Sequence, residues 1–144
     1  RWTPIDMQLT TIRPETREPP ISTFGMSTTV IDGISQIVLH GTIRQHDLER
    51  YFRHAHTLAG FTQGWVIDWS QSLIAISGKQ LIASGQVARG PVAHILRIDQ
   101  RLLFDHYFDV CAARGLRREH FLDADTALAW VHAVQLDRYE RADL

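Results

Sequence analysis

The sequence predicts one α/β domain: a mixed, mostly parallel five-stranded sheet covered by four helices, in the order β-β-α-β-α-β-α-β-α, with an extended N-terminal arm before it. Three observations lead there. Two apolar runs, Thr28 to Ile31 and Gln36 to Leu39, flank Asp32-Gly33, a pair that favours the left-handed backbone of a tight hairpin. Beyond them, runs of strand length alternate with stretches whose apolar residues recur at helical spacing, which implies parallel strands joined by crossover helices. Finally, Trp65-Val66-Ile67 is an apolar run ending in Asp68, as a central strand buried on both faces reads.

Residues 1–25 hold four of the five prolines, Pro4, Pro14, Pro19 and Pro20, among threonines and alternating charges. That composition predicts an arm without a core of its own, and its apolar residues imply that it lies on its own domain or on a second copy, making a homodimer. The domain itself is expected over 26–136. After the hairpin, closed by Gly41, residues Leu48, Tyr51, Phe52, Ala55 and Leu58 form one apolar helix face, with Asp47 in the first turn. Trp69-Ser70-Gln71-Ser72 reads as a break after the central strand. Ser77 stands at a helix N-cap position ahead of Leu81 and Ile82. Gly85 and Gly90-Pro91 punctuate, and Val92 to Leu96 is a strand. Asp99 is placed to cap a long helix carrying Leu103, Tyr107, Val110 and Cys111, which stops at Gly115. Glu119 to Leu122 is the last strand, Asp123 caps the last helix, and the charged segment 137–144 is expected to fray.

Composition narrows the function. The 144 residues fit one domain, and 15 basic against 16 acidic side chains give a net charge of −1, which disfavours a nucleic-acid or anionic-membrane binder. No apolar run approaches the roughly 20 residues of a membrane span. Arg1-Trp2-Thr3-Pro4 leads into no apolar signal region, so a cytoplasmic protein is expected. The single cysteine, Cys111, rules out an internal disulfide and falls on the apolar side of its helix, where a buried inert thiol is expected.

Asp68, Ser70, Ser77, Arg97 and Asp99 each lie at or just beyond a parallel strand's C-terminal end, where open α/β sheets place their ligand or partner sites. Each also has a simpler role: Ser77 as a helix cap, Asp68 as an acceptor for loop amides. No metal site or cofactor is expected. His54 and His56 are two apart and point to different sides of a helix, His46 lies more than two turns from His54, and His106 with Asp105 and Asp109 reads as a solvated face. Arg114, Arg117 and Arg118, around Gly115, read as solvated helix-end charges, with an acidic partner or anion site as the alternative. Trp65 and Trp69, with Phe104, Tyr107 and Phe108, are core aromatics or the walls of an apolar pocket.

The order from Met26 onward resembles the STAS domains, and within them the SpoIIAA-like branch, related in shape to the lipid-binding CRAL-TRIO domains. The resemblance is carried by Gly41 before the first helix, by Val66-Ile67-Asp68, and by His120-Phe121-Leu122-Asp123-Ala124-Asp125-Thr126-Ala127-Leu128-Ala129-Trp130, over about residues 26–134. It implies a non-enzymatic bacterial regulatory or protein-interaction domain with a kinase or sigma-regulatory partner. Anti-sigma antagonists carry Asp-Ser-Ser-Gly at the helix after the central strand, one serine being phosphorylated. Here the stretch is Ile76-Ser77-Gly78, which keeps a serine and loses the aspartate. Two other functions compete: a binder of a small apolar or lipid-like ligand between sheet and helices, and an enzyme with a site near Asp68, His94 and Ser77. No catalytic residue is assigned.

Overall fold

The computed structural model describes residues 23–84 and 89–142. Among the described residues five strands form one sheet in the order β1-β2-β3-β4-β5: β1 Gly25–Ile31, β2 Ile34–Ile43, β3 Gly64–Ile74, β4 Val92–Ile95 and β5 Arg118–Phe121. β1 pairs antiparallel with β2 and lies at one edge, while every other pairing is parallel. Among the described residues four α-helices join or follow these strands: α1 Gln45–Leu58, α2 Gly78–Ser84, α3 Arg101–Ala113 and α4 Ala124–Ala142. Two 3-10 turns, Ala59–Phe61 and Ile98–Gln100, complete the order. The α/β architecture expected from the sequence is the one observed.

Its layering follows from connection handedness. β2 to β5 advance in one direction across the sheet, so right-handed crossovers put α1, α2 and α3 on the same face. There Ile37, Leu39, Leu48, Tyr51, Trp65, Ile67, Trp69, Leu81, Phe104 and Tyr107 share the larger core, joined by Cys111. The buried free thiol agrees with expectation. α4 crosses to the opposite face, where Ala127 and Val131 pack on Ile34, Val66, Ala93 and Ile95. β3 and β4 are covered on both sides, which is why their sequences read as near-continuous apolar runs.

The Asp32-Gly33 hairpin is a two-residue turn with φ of 53° and 79°, between Ile31 and Ile34, which pair directly. The sheet begins one residue earlier than the expected boundary, and Phe24 is buried in the larger core with Arg50 stacked over its ring. Of the arm expected over 1–25, residues 1–22 lie outside the described residues, and Gly25 already belongs to β1.

Three element-level expectations are corrected. Trp69-Ser70-Gln71-Ser72 does not end the central strand. Val38 pairs with Asp68 but His40 with Gln71, so β3 carries an extra residue, a bulge, and continues to Ile74. Asp99 caps neither α3, whose N-cap is Gln100, nor the turn before it, whose N-cap Arg97 donates its N–H to Gln100 Oε1 at 2.9 Å. The last helix does not stop near 136 but runs to Ala142, since Arg138-Tyr139-Glu140-Arg141-Ala142 contains no glycine or proline to end it. Asp123 does cap that helix, its Oδ1 accepting the Thr126 N–H at 2.9 Å. These two bonds, from backbone and hydroxyl of Thr126, hold the exposed Asp123 carboxyl below the usual carboxylate range.

Candidate functional site

The bulge in β3 sets the geometry of the pole where the parallel strands end. β4 stops at Ile95, so the carbonyls of the second half of β3 lose their strand neighbour on that side. Side chains from the segment after β4 replace it. Arg97 Nη1 donates to the carbonyls of Ser70 and of Ser72, the latter at 3.0 Å. Gln100 Nε2 donates to Trp69 O at 2.9 Å and Ser72 O at 3.1 Å. Buried carbonyls left without donors would cost free energy comparable to a lost hydrogen bond each, so these two side chains permit the strand to continue. The remaining face of the Arg97 guanidinium grips the exposed Asp99 carboxylate through two bonds of 3.0 and 3.2 Å. That pairing holds the Asp99 carboxyl below the usual carboxylate range.

Asp68 is tied into the same pole, its Oδ1 accepting the Ser70 N–H at 2.8 Å and the Ser70 hydroxyl at 2.6 Å. Asp68, Ser70, Arg97 and Asp99 are therefore one linked network. Ser77, also past the end of β3, is bonded separately: its Oγ accepts the Gln80 N–H at 3.2 Å and its own N–H donates to Gln80 Oε1 at 2.8 Å. That reciprocal pair is a capping box at the start of α2, with the Ser77 side chain exposed. Beside the network, Ile98 and Leu102 stand one helical turn apart and are 77% and 82% exposed, with Leu122 at 66% just beyond β5.

The imagined Ser77–His94–Asp68 set does not assemble. Along β3, Trp65, Ile67 and Trp69 face the larger core, so Asp68 points to the opposite face by strand alternation. His94 faces the larger core, where Nδ1 accepts the Trp69 Nε1–H at 3.0 Å and Nε2 lies 3.1 Å from Tyr107 Oη. The sheet separates His94 from Asp68, and both imidazole nitrogens are engaged. Burial, reinforced by the nearby charges of Arg118 and His120, lowers the His94 pKa from 6.5 to about 3. With Nδ1 accepting, the neutral ring carries its proton on Nε2 and donates to Tyr107. Burial likewise raises the phenol pKa values of Tyr51 and Tyr107.

The aromatics expected to be core or pocket are both. Trp65 and Trp69 lie on one face of one strand. Together with Tyr51, Phe52, Tyr107, Leu81, Val92, His94 and Arg118 they line a cavity of about 50 Å³ beneath α1. Phe108 packs edge-on and Phe104 tilted against His94, and neither is among the lining residues. His56 and Ala59, at the end of α1, are the exposed lining residues and mark the rim. Trp65, Val92 and Arg118 stand at the starts of β3, β4 and β5, so the mouth is at the opposite pole from the Arg97 network. Arg118, expected first as a solvated helix-end charge, is one of the lining residues. It is half-buried, and its Nη1 donates to Gly90 O at 3.0 Å. Among the described residues no three His, Cys, Asp or Glu side chains are placed to hold a metal, and no helix is long and apolar enough to cross a membrane.

Comparison with known proteins bears on the fold. No protein family and no curated protein matches the chain. A solved anti-sigma factor antagonist from Mycobacterium paratuberculosis superposes with a TM-score of 0.56 at 18% identity, covering 76% of this chain and 95% of that one. The chain therefore has the STAS-type, SpoIIAA-like fold expected from the sequence. An antisigma-factor antagonist STAS domain from Rhodobacter sphaeroides aligns over 69% of this chain and 86% of that one at 13% identity, with a TM-score of 0.34, too low to bear on the fold.

Proposed function

We propose that this chain is a non-enzymatic regulatory domain that binds a protein partner through the pole where its parallel strands end. The observation that carries the reading is the shared fold with an anti-sigma factor antagonist, over nearly all of that protein's length. The pole supplies a docking chemistry: exposed Ile98, Leu102 and Leu122 give apolar area, beside the fixed Arg97–Asp99 pair and the Ser70 and Ser77 hydroxyls. A kinase-type or sigma-regulatory partner in a bacterial cytoplasm is the specific form of the proposal. Phosphorylation of Ser77 would be its switch, adding about −1.5 to −2 charges beside Arg97's end of the sheet.

Mass spectrometry of the protein isolated from its native host, native and then denatured, tests this. A stoichiometric protein complex that is lost in Leu102→Asp, or a phosphate on Ser77, supports the reading. A chain carrying neither protein partner nor phosphate overturns it.

A second reading is favoured by the aromatic cavity at the other pole: a binding protein for a small, largely apolar ligand held between sheet and helices. The same native spectrum would reveal it as a bound small mass that disappears on denaturation.

A further inference from the structure

We propose that the cavity beneath α1 takes a small neutral carbonyl compound, a ketone or aldehyde with a compact apolar body, and that the Tyr51 hydroxyl is the donor that recognises its oxygen. This rests on the second reading, that the cavity is a ligand site, and names the ligand's class.

Tyr51 differs from the other polar residues of the buried wall. Trp65 Nε1–H donates to Arg89 O at 3.2 Å, and Trp69 Nε1–H to His94 Nδ1 at 3.0 Å. His94 in turn donates from Nε2 to Tyr107 Oη at 3.1 Å. Arg118 is committed as well: its Nη1 donates to the carbonyls of Gly90 and Arg117 at 3.0 and 3.1 Å, and the side chain holds a further interaction. The Tyr51 hydroxyl has no hydrogen-bond partner among the described residues, although the residue is 7% exposed.

That hydroxyl opens onto the cavity. Partnerless polar atoms sealed from all access belong to other residues, Thr42 Oγ1 and Gln135 Nε2 among them, so Tyr51 Oη keeps accessible surface. The Tyr51 ring is fixed against Phe52 and Trp69, with centroids 5.0 and 5.7 Å away, and all three rings line the cavity. A buried hydroxyl without a partner is costly, and a ligand oxygen would supply the missing acceptor. Burial also raises the phenol pKa, so the group stays protonated and donates.

The walls set the rest of the ligand. Phe52, Ala55, Ile67, Leu81 and Val92 are apolar, and none of the lining residues is an aspartate or glutamate. An ion would lose its hydration to these walls, and the guanidinium at their edge is already bonded to backbone, so a neutral guest is favoured. One donor in an apolar wall matches a molecule that is apolar except for one accepting oxygen. A cavity of about 50 Å³ holds about four waters at roughly 10–15 Å³ each, which suits a body of about five or six non-hydrogen atoms. Longer substituents would emerge at the rim, past His56 and Ala59.

NMR titration of the full chain with cyclopentanone, cyclopentane and propanoate tests this. The first two share a ring and differ by the oxygen, while the third carries a charge on a short chain. Cyclopentanone should bind, shifting resonances of Trp65, Trp69 and α1, and propanoate should bind at least about tenfold more weakly. Tyr51→Phe should weaken cyclopentanone about fivefold, the scale of one neutral hydrogen bond, and leave cyclopentane within about twofold. Because the free protein loses no bond, the same variant should keep or raise the urea midpoint. Ala55→Leu, which fills the cavity from α1, should weaken both ring compounds at least about tenfold. Three results overturn the carbonyl recognition: cyclopentanone affinity unchanged in Tyr51→Phe, a urea midpoint lowered in that variant, or propanoate binding as tightly as cyclopentanone. The ligand site itself then still stands if cyclopentane binding responds to Ala55→Leu. No binding by any of the three probes, or binding indifferent to Ala55→Leu, overturns both.

Discussion

Buried between Trp69 and Tyr107, His94 spends both ring nitrogens on hydrogen bonds, and the cost of charging it makes it the residue through which acid reaches this fold. Its pKa in the folded state is about 3 against 6.5 ordinarily, with burial the main cause. Above pH 6.5 the position is neutral in both folded and unfolded chains, and its contribution to stability is fully present. As the pH falls through 6.5, the unfolded chain takes up a proton that the folded one refuses until about 3, so stability is lost across that window. Losses on the order of a few kcal/mol between pH 6.5 and 4 are expected from this group. Asp99 and Asp123, whose folded carboxyls titrate below their ordinary 3.8, lose their contributions only at the acid end. Urea unfolding of wild type and His94→Gln at several pH values between 7 and 4 checks this. The variant should be less stable at pH 7, by about 1–3 kcal/mol for the disturbed buried bonds, yet clearly flatter with pH. Parallel pH profiles would overturn the assignment.

Elements were legible in the sequence wherever they are made by near neighbours. The Asp32-Gly33 turn, the Ser77 and Asp123 caps and the amphipathic face of α1 each depend on residues within one or two turns of one another, and each formed where expected. What failed depends on distant partners. Ser70-Gln71-Ser72 read as a break because polar residues in sequence look like a loop; the strand continues because Arg97 and Gln100, more than 20 residues away, satisfy its carbonyls. Arg118 looked solvated because nothing local reveals that the start of β5 borders a cavity walled by α1 and α3. Gly41 shows the same dependence and gives the element-scale prediction. It lies inside β2 with φ of 82°, and a Cβ there would stand 2.3 Å from the Thr23 carbonyl oxygen. Gly41→Ala should therefore destabilise by roughly 3 kcal/mol, adding the left-handed backbone cost to a clash with main chain. Gly60, with nothing within 4 Å of its Cβ position, is the control: Gly60→Ala should be neutral or slightly stabilising. Equal urea midpoints for the two variants would refute the account.

At the scale of the whole molecule, the sheet leaves one antiparallel edge, β1, beside the point where the preceding chain enters at Thr23. Val30 and Ile31 are exposed on that strand, while Phe24 is already sunk into the larger core under Arg50. Residues 1–22 bring Trp2, Ile5, Met7, Leu9 and Ile12, and each large apolar side chain fully buried would gain about 1.5–3 kcal/mol. Fixing backbone costs roughly 1–2 kcal/mol per residue, so the segment orders only where several of these side chains are received together. On the α4 face, Ala127 and Val131 pack against Val66 and Ala93. The cavity beneath α1 is too small, at about 50 Å³, for one tryptophan. Its prolines bar the segment from a central strand but not from an edge. A second copy is therefore the proposed receiver, with the arm of each subunit laid across its partner and a homodimer as the result. Multi-angle light scattering of the full chain and of a form lacking residues 1–22 tests this. The full chain should have twice the monomer mass of 16.5 kDa, and the shortened form should be monomeric yet retain its far-ultraviolet circular dichroism. A full-length monomer, or a dimer unchanged by the deletion, would sink the proposal.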